Sequence, residues 1–135
     1  MERTMVTQLA SAVTLTASST ACTNKHEAGG YGQHSLYITY NPGTNSTNAL
    51  EVTIELSPDG GTTWYPYTGE YSGATGTITP GTQVTLSFAS SGTTAQYEDA
   101  YFFVGSALTI RIKASETNTP GTYGTYTAWL VSSHP

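Results

Sequence analysis

Residues 49–64 read ALEVTIELSPDGGTTW, and their pattern decides the fold. Over Ala49–Leu56 the apolar side chains Leu50, Val52, Ile54 and Leu56 take every second position, with Glu51, Thr53 and Glu55 between them. Successive side chains of a β-strand point to opposite faces, so this run is a strand with one face buried and one in water. The SPDGGTTW that follows is built to reverse direction. Pro58 presets a turn dihedral, Asp59 accepts hydrogen bonds from the backbone N–H groups after it, and Gly60 and Gly61 supply left-handed conformations. Ser57 and Thr63 frame the turn, and Trp64 is expected to fold its ring over the core. The strand then pairs with TWYPYT (63–68), which Pro66 pushes to an edge.

The same alternation recurs on either side. SALTIRIKAS (106–115) sets Leu108, Ile110 and Ile112 inward and Thr109, Arg111 and Lys113 outward. QVTLSFAS (83–90) buries Val84, Leu86 and Phe88; HSLYITY (34–40) offers Leu36, Ile38 and Tyr40 against Tyr37 and Thr39; SAVTLTAS (11–18) offers Val13 and Leu15. YEDAYFFVG (97–105) and YGTYTAWLVSS (123–133) are apolar on both faces, as strands at the centre of a sheet or in an interface are. NPGTNSTN, SPDGG, TPGTQ, SSGTTAQ and ETNTPGTYG punctuate these runs as turns. ACTNKHEAGGYGQ (21–33) reads as a long loop, and residues 1–10 read as a strand or an N-terminal arm. No internal repeat, linker or helical period interrupts the series. The expectation is one all-β domain over 1–135: an antiparallel β-sandwich, jelly-roll-like, of about eight strands.

Composition narrows the function. Only 10 % of residues are charged and the net charge is −5. The cations are Arg3, Lys25, Arg111 and Lys113, too few for a phosphate-binding patch, so no nucleic acid and no anionic membrane is expected as partner. No run is long and apolar enough for a membrane helix. Cys22 is alone and reads as a free, sheltered thiol. The first residues lack the basic start and apolar core of a signal peptide, so the chain reads as a cytosolic product. For that reason the sequon Asn45-Ser46-Thr47 carries no weight.

Reactive constellations are sparse. His26, Glu27 and His34 fit no zinc spacing and read as part of a solvated loop, and neither histidine is ordered as a base for Cys22. Glu98 and Asp99 are adjacent in a strand, so they face opposite ways. Glu51 and Glu55 share one outward face, as do Arg111 and Lys113; cross-strand ion pairs form if the two strands are neighbours. No catalytic group, metal site or cofactor is expected. The ten tyrosines stand out instead. Tyrosine covers area at low entropic cost and keeps a polar tip, so it suits protein interfaces and sugar stacking. Met5 in the N-terminal segment, Tyr37, Tyr65, Tyr67, Tyr101 and Trp129 are the candidate contact residues.

SPDGGTTW resembles the Asp-box of sialidases, a structural turn that in those enzymes recurs once per blade, away from the catalytic centre. This chain has one copy, and it lacks the cluster of arginines that sialidases gather. Over residues 35–135, LYITYNPGTNSTNALEVTIELSPDGGTTWY and FFVGSALTIRIKASETNTPGTYGTYTAWLV resemble small β-rich virion proteins of tailed bacteriophages, of the capsid-decoration or auxiliary head type. That resemblance implies a non-enzymatic subunit that forms homo-oligomers, trimers foremost, and seats on the major capsid protein. A virion also reconciles a Thr/Ser/Gly/Tyr composition suited to the outside with synthesis in a host cytoplasm. The alternatives are a carbohydrate- or receptor-binding sandwich and a tail or fibre component.

Overall fold

The alternating run becomes strand β5 (Ala49–Ser57), with Leu50, Val52 and Ile54 buried and Glu51, Thr53 and Glu55 half-exposed. The structure is a computed structural model that describes residues 3–29, 31–44, 48–67, 85–89, 95–99, 109–118 and 120–134. Nine further strands precede and follow β5 among these residues: β1 (Arg3–Thr14), β2 (Thr20–Ala21), β3 (His26–Glu27), β4 (Gln33–Asn41), β6 (Tyr65–Pro66), β7 (Thr85–Ala89), β8 (Ala95–Asp99), β9 (Thr109–Glu116) and β10 (Thr125–His134). All pairings are antiparallel, and no described residue is helical.

The strands form two sheets. One runs β1-β10-β4-β8; in the other β5 and β9 are central, β2 and β3 flank β9, and β6 and β7 flank β5. In chain order this is a set of nested pairs: β1 with β10, β2 and β3 with β9, β4 with β8, β5 with β6 and β7. The nested ribbon is rolled so that β10 also meets β4 and β9 also meets β5. That is the jelly-roll connectivity, with β2/β3 and β6/β7 each sharing one of eight strand positions.

The inward faces meet between the sheets. Register places Tyr40 opposite Tyr126, Ile38 opposite Ala128 and Leu36 opposite Leu130 in one sheet. In the other it places Val52 opposite Ala114 and Ile54 opposite Ile112. All ten side chains are buried, and Leu9, Leu15, Tyr67 and Phe88 belong to the same cluster. Each fully buried Leu or Ile stabilises the fold by about 2 kcal/mol over exposure.

One open alternative about elements is resolved and two expectations change. Residues 3–14 are a strand, paired with β10 from Arg3–His134 to Thr14–Thr125, with bulges at Gln8/Ala10 and Ala10/Val13. Ala12 sits there at φ 47°, its N–H donating to Thr127 Oγ1 at 2.9 Å. The segment read as a long loop contributes Ala21 to β2 and holds β3, both docked on β9. Two-residue bridges are too short to show a period. Finally, Thr109, expected outward, is fully buried, its hydroxyl donating to Glu27 Oε2 at 3.0 Å. Val84, Leu108, Tyr101 and the sequon lie outside the described residues.

Candidate functional site

The turn after β5 is closed by its own side chains. Ser57 Oγ donates to Asp59 Oδ1 and accepts from Gly61 N–H, both at 2.8 Å. Asp59 Oδ1 also accepts from the N–H groups of Thr62 at 3.1 Å and Thr63 at 2.8 Å. The Thr63 N–H, followed by the Ser57 hydroxyl, holds the Asp59 carboxyl down at about 2. Gly60 and Gly61 adopt φ 77° and 103°, as the sequence requires. The expected pairing with β6 is present, Leu56 opposite Tyr65.

Trp64 differs from expectation. Its ring is half-buried on the outer side of the sheet, with Arg111 Cζ 4.2 Å from the ring centroid. Arg111 Nε donates to Glu55 Oε1 at 2.7 Å, the cross-strand ion pair that the outward parity of β5 and β9 predicts. Lys25, between β2 and β3, donates to Gly60 O at 2.7 Å and stands 3.8 Å from Glu27. Between Thr7, Thr23, Asn24, Lys25, Trp64 and Arg111 opens a cleft of about 560 Å³. Cys22 also borders it, with Sγ 3.1 Å from Asn24 O; burial pushes its thiol pKa up, so the unreactive thiol form dominates.

The outer face of the four-stranded sheet has a different character. Trp129 on β10 is 42 % exposed and lies between Tyr37 of β4, 37 % exposed, and Gln8 of β1. One row along, Val131 lies between Ser35 and Val6, the latter 56 % exposed. The other outward side chains described on β1, β4 and β10, among them Thr4, Gln33, Thr39, Asn41, Thr125, Thr127 and Ser133, are also uncharged. Lys25, Glu27, Glu51, Glu55, Asp59, Arg111 and Lys113 all belong to the six-stranded sheet and its turns.

Two polar clusters are buried. His26 Nε2 and His34 Nδ1 each lie 2.6 Å from Ser132 Oγ, and His26 Nδ1 lies 2.7 Å from Thr7 Oγ1. Ser132 has one proton to donate, so it donates to one imidazole and accepts from the other. Burial, then the neighbouring His34, brings His26 down to about 4, and burial lowers His34 too. A serine beside imidazole is nucleophile chemistry, but Ser132 and both rings are fully buried, so no substrate reaches them. The second cluster centres on Glu116, 1 % exposed. Its carboxylate accepts from Tyr40 OH, from Asn48 Nδ2 and Gly124 N–H at 2.7 Å, and from Gly43 N–H at 2.9 Å. It ties the β4–β5 and β9–β10 turns together.

The sequence-predicted residues are thus dispersed. Tyr37 and Trp129 are neighbours on one face, while Tyr65, 56 % exposed, is on the other sheet. Tyr67 is buried in the core of its own chain, and Met5 is half-buried on the inner face opposite Ser132, so neither is a contact residue of the surface. Val6 is the exposed apolar side chain of β1 on the outer face. His26 and His34 are core groups rather than parts of a solvated loop. The backbones of Glu98 and Asp99 pair with Tyr37 and Leu36; their side chains lie outside the described residues. Among the described residues no three His, Cys, Asp or Glu side chains converge to hold a metal. Compared with family models, curated proteins and solved structures, the chain matches none.

Proposed function

We propose that the chain is a structural subunit of a virion that seats against neighbouring proteins through the outer face of its four-stranded sheet. The observation that carries this reading is the segregation of charge. In a chain of net charge −5, the described outward side chains of β1, β4 and β10 are uncharged and present Val6, Tyr37, Trp129 and Val131 together. Interface cores are depleted in charge and enriched in Trp and Tyr. Jelly rolls serve as capsid and as lectin domains, so the fold agrees with the reading by analogy only. Many weak, identical contacts on a lattice give stable occupancy by avidity.

The double variant Tyr37→Lys, Trp129→Lys tests it. Both sites are exposed, so folding is retained, while desolvating two ammonium groups lowers particle occupancy and self-association at least ~100-fold. Sedimentation with and without empty capsids reads this out, and wild-type occupancy by the double variant rejects the proposal. A second reading, a platform for a neutral glycan, has one observation in its favour: Trp129 and Tyr37 lie side by side, flanked by Gln8 and Thr127. Saturable binding of neutral oligosaccharides that Trp129→Ala removes would favour it.

A further inference from the structure

We infer that the cleft beside the 57–64 turn is a binding site for a carboxylated sugar of the uronic-acid class. Its cations are fixed before any ligand arrives. Arg111 is held at Nε by Glu55, 2.7 Å away, and on its face by Trp64, 4.2 Å from Cζ. A guanidinium has five N–H donors, and no described residue accepts from its two terminal nitrogens. Two parallel donors on a rigid fork match the two oxygens of a carboxylate.

Across the cleft, Lys25 is held by Gly60 O at 2.7 Å, which uses one of its three protons. Gly61 permits that approach. A Cβ there would stand 3.3 Å from Lys25 Nζ and 3.3 Å from Trp64 Cζ2, crowding both. Groups already immobilised lose little freedom on binding, so more of the contact energy appears as affinity.

The rest of the cleft selects the ligand. Its volume, about 560 Å³, is that of a small-molecule site and exceeds what a simple ion needs. Its wall carries the Thr23 hydroxyl and the Asn24 side-chain carbonyl, partners for ring hydroxyls, while the Thr7 hydroxyl is engaged by His26 and the Asn24 Nδ2 donates to Gln8 O at 3.0 Å. Glu27 and Glu55 offset the charges of Lys25 and Arg111, so the site is close to neutral as a whole. A bare or doubly charged anion therefore gains little, and directional bonds to a singly charged, hydroxylated ligand decide the affinity. The cleft lies mainly on the six-stranded sheet, with Thr7 of β1 at its wall, and uses none of Val6, Tyr37, Trp129 or Val131, so the inference does not rest on the assembly reading.

Titration of the full chain, followed at the Trp64 indole N–H and the Arg111 side chain by NMR, tests this. Glucuronate saturates both signals with a dissociation constant of about 1 mM or tighter, and glucose, acetate and phosphate bind at least ~10-fold more weakly. Tri-galacturonate binding more tightly than the monomer identifies a polysaccharide as source; equal binding identifies a single sugar residue. Arg111→Lys keeps the charge and loses the fork, and Lys25→Met leaves both the Glu55 pair and the Trp64 stack in place; each weakens glucuronate ~10-fold or more. Three results overturn the inference: no saturable change up to ~20 mM glucuronate, glucose or acetate or phosphate binding as tightly, or wild-type affinity in both variants.

Discussion

Gly61 stands where two demands coincide. Its φ of 103° is one that L side chains rarely adopt, and its missing Cβ leaves room for Lys25 and Trp64. Gly61→Val therefore destabilises the fold by about 2–3 kcal/mol, visible as a lowered denaturant midpoint; an unchanged midpoint contradicts the tight turn. His26 sets a pH dependence. Burial puts its folded pKa near 4, below the unfolded 6.5, with the nearby Glu27 opposing and His34 adding to the displacement. The unfolded chain then binds more protons between these values. This stability is fully present above pH 6.5 and is lost as pH falls toward 4, about 3 kcal/mol in all. Melting temperature falls between pH 7.5 and pH 5, before most carboxylates titrate, and His26→Gln flattens that slope; a pH-independent melt in the wild type contradicts the buried network.

Strand β1 links the fold to its surface. Its outer residues Thr4, Val6 and Gln8 extend the uncharged face, while Thr7 bonds to His26 and Leu9 enters the core. Removing residues 1–8 costs about 3 kcal/mol or more of folding stability, together with any assembly, since both the ladder to β10 and the Thr7 contact go. A truncated chain with normal melting and impaired assembly would make the segment an arm. Parity explains what the sequence disclosed. Where apolar and polar residues alternate over five or more positions, as in β4, β5 and β9 beyond Thr109, the inward set was legible, and so was the Glu55–Arg111 pair; β10, apolar on both faces, gave no inward set. The same parity carried a signal that was passed over: His34 precedes Leu36, Ile38 and Tyr40 on the inward phase, Glu116 follows Ile110, Ile112 and Ala114, and Ser132 follows Leu130. A charged or polar group on an inward phase marks a buried polar cluster, although its partners, up to 106 residues away, have no local trace. The cleft was not legible, because Lys25, Trp64 and Arg111 meet only through β2, β3 and β9.

Over the whole molecule, the charged side chains described by the structure crowd the six-stranded sheet and its turns, and the outward side chains described on β1, β4 and β10 carry none. The self-association proposed through that face would not be driven by ion pairs between the described side chains, and it would bring together chains that each carry −5. Raising salt from about 0.05 to 0.5 M screens that repulsion, so self-association strengthens modestly; steep weakening in sedimentation would mean that charge, not apolar area, makes the contact. The order of the strands has its own consequence. The last strand, β10, is wedged between β1 and β4 at the middle of its sheet. As the polypeptide leaves the ribosome, β1 has no neighbour in its sheet, and β4 only β8, until residues 125–134 have emerged. That sheet closes only at this point, and its distant pairings make the step slow and leave apolar strand faces open to clumping beforehand.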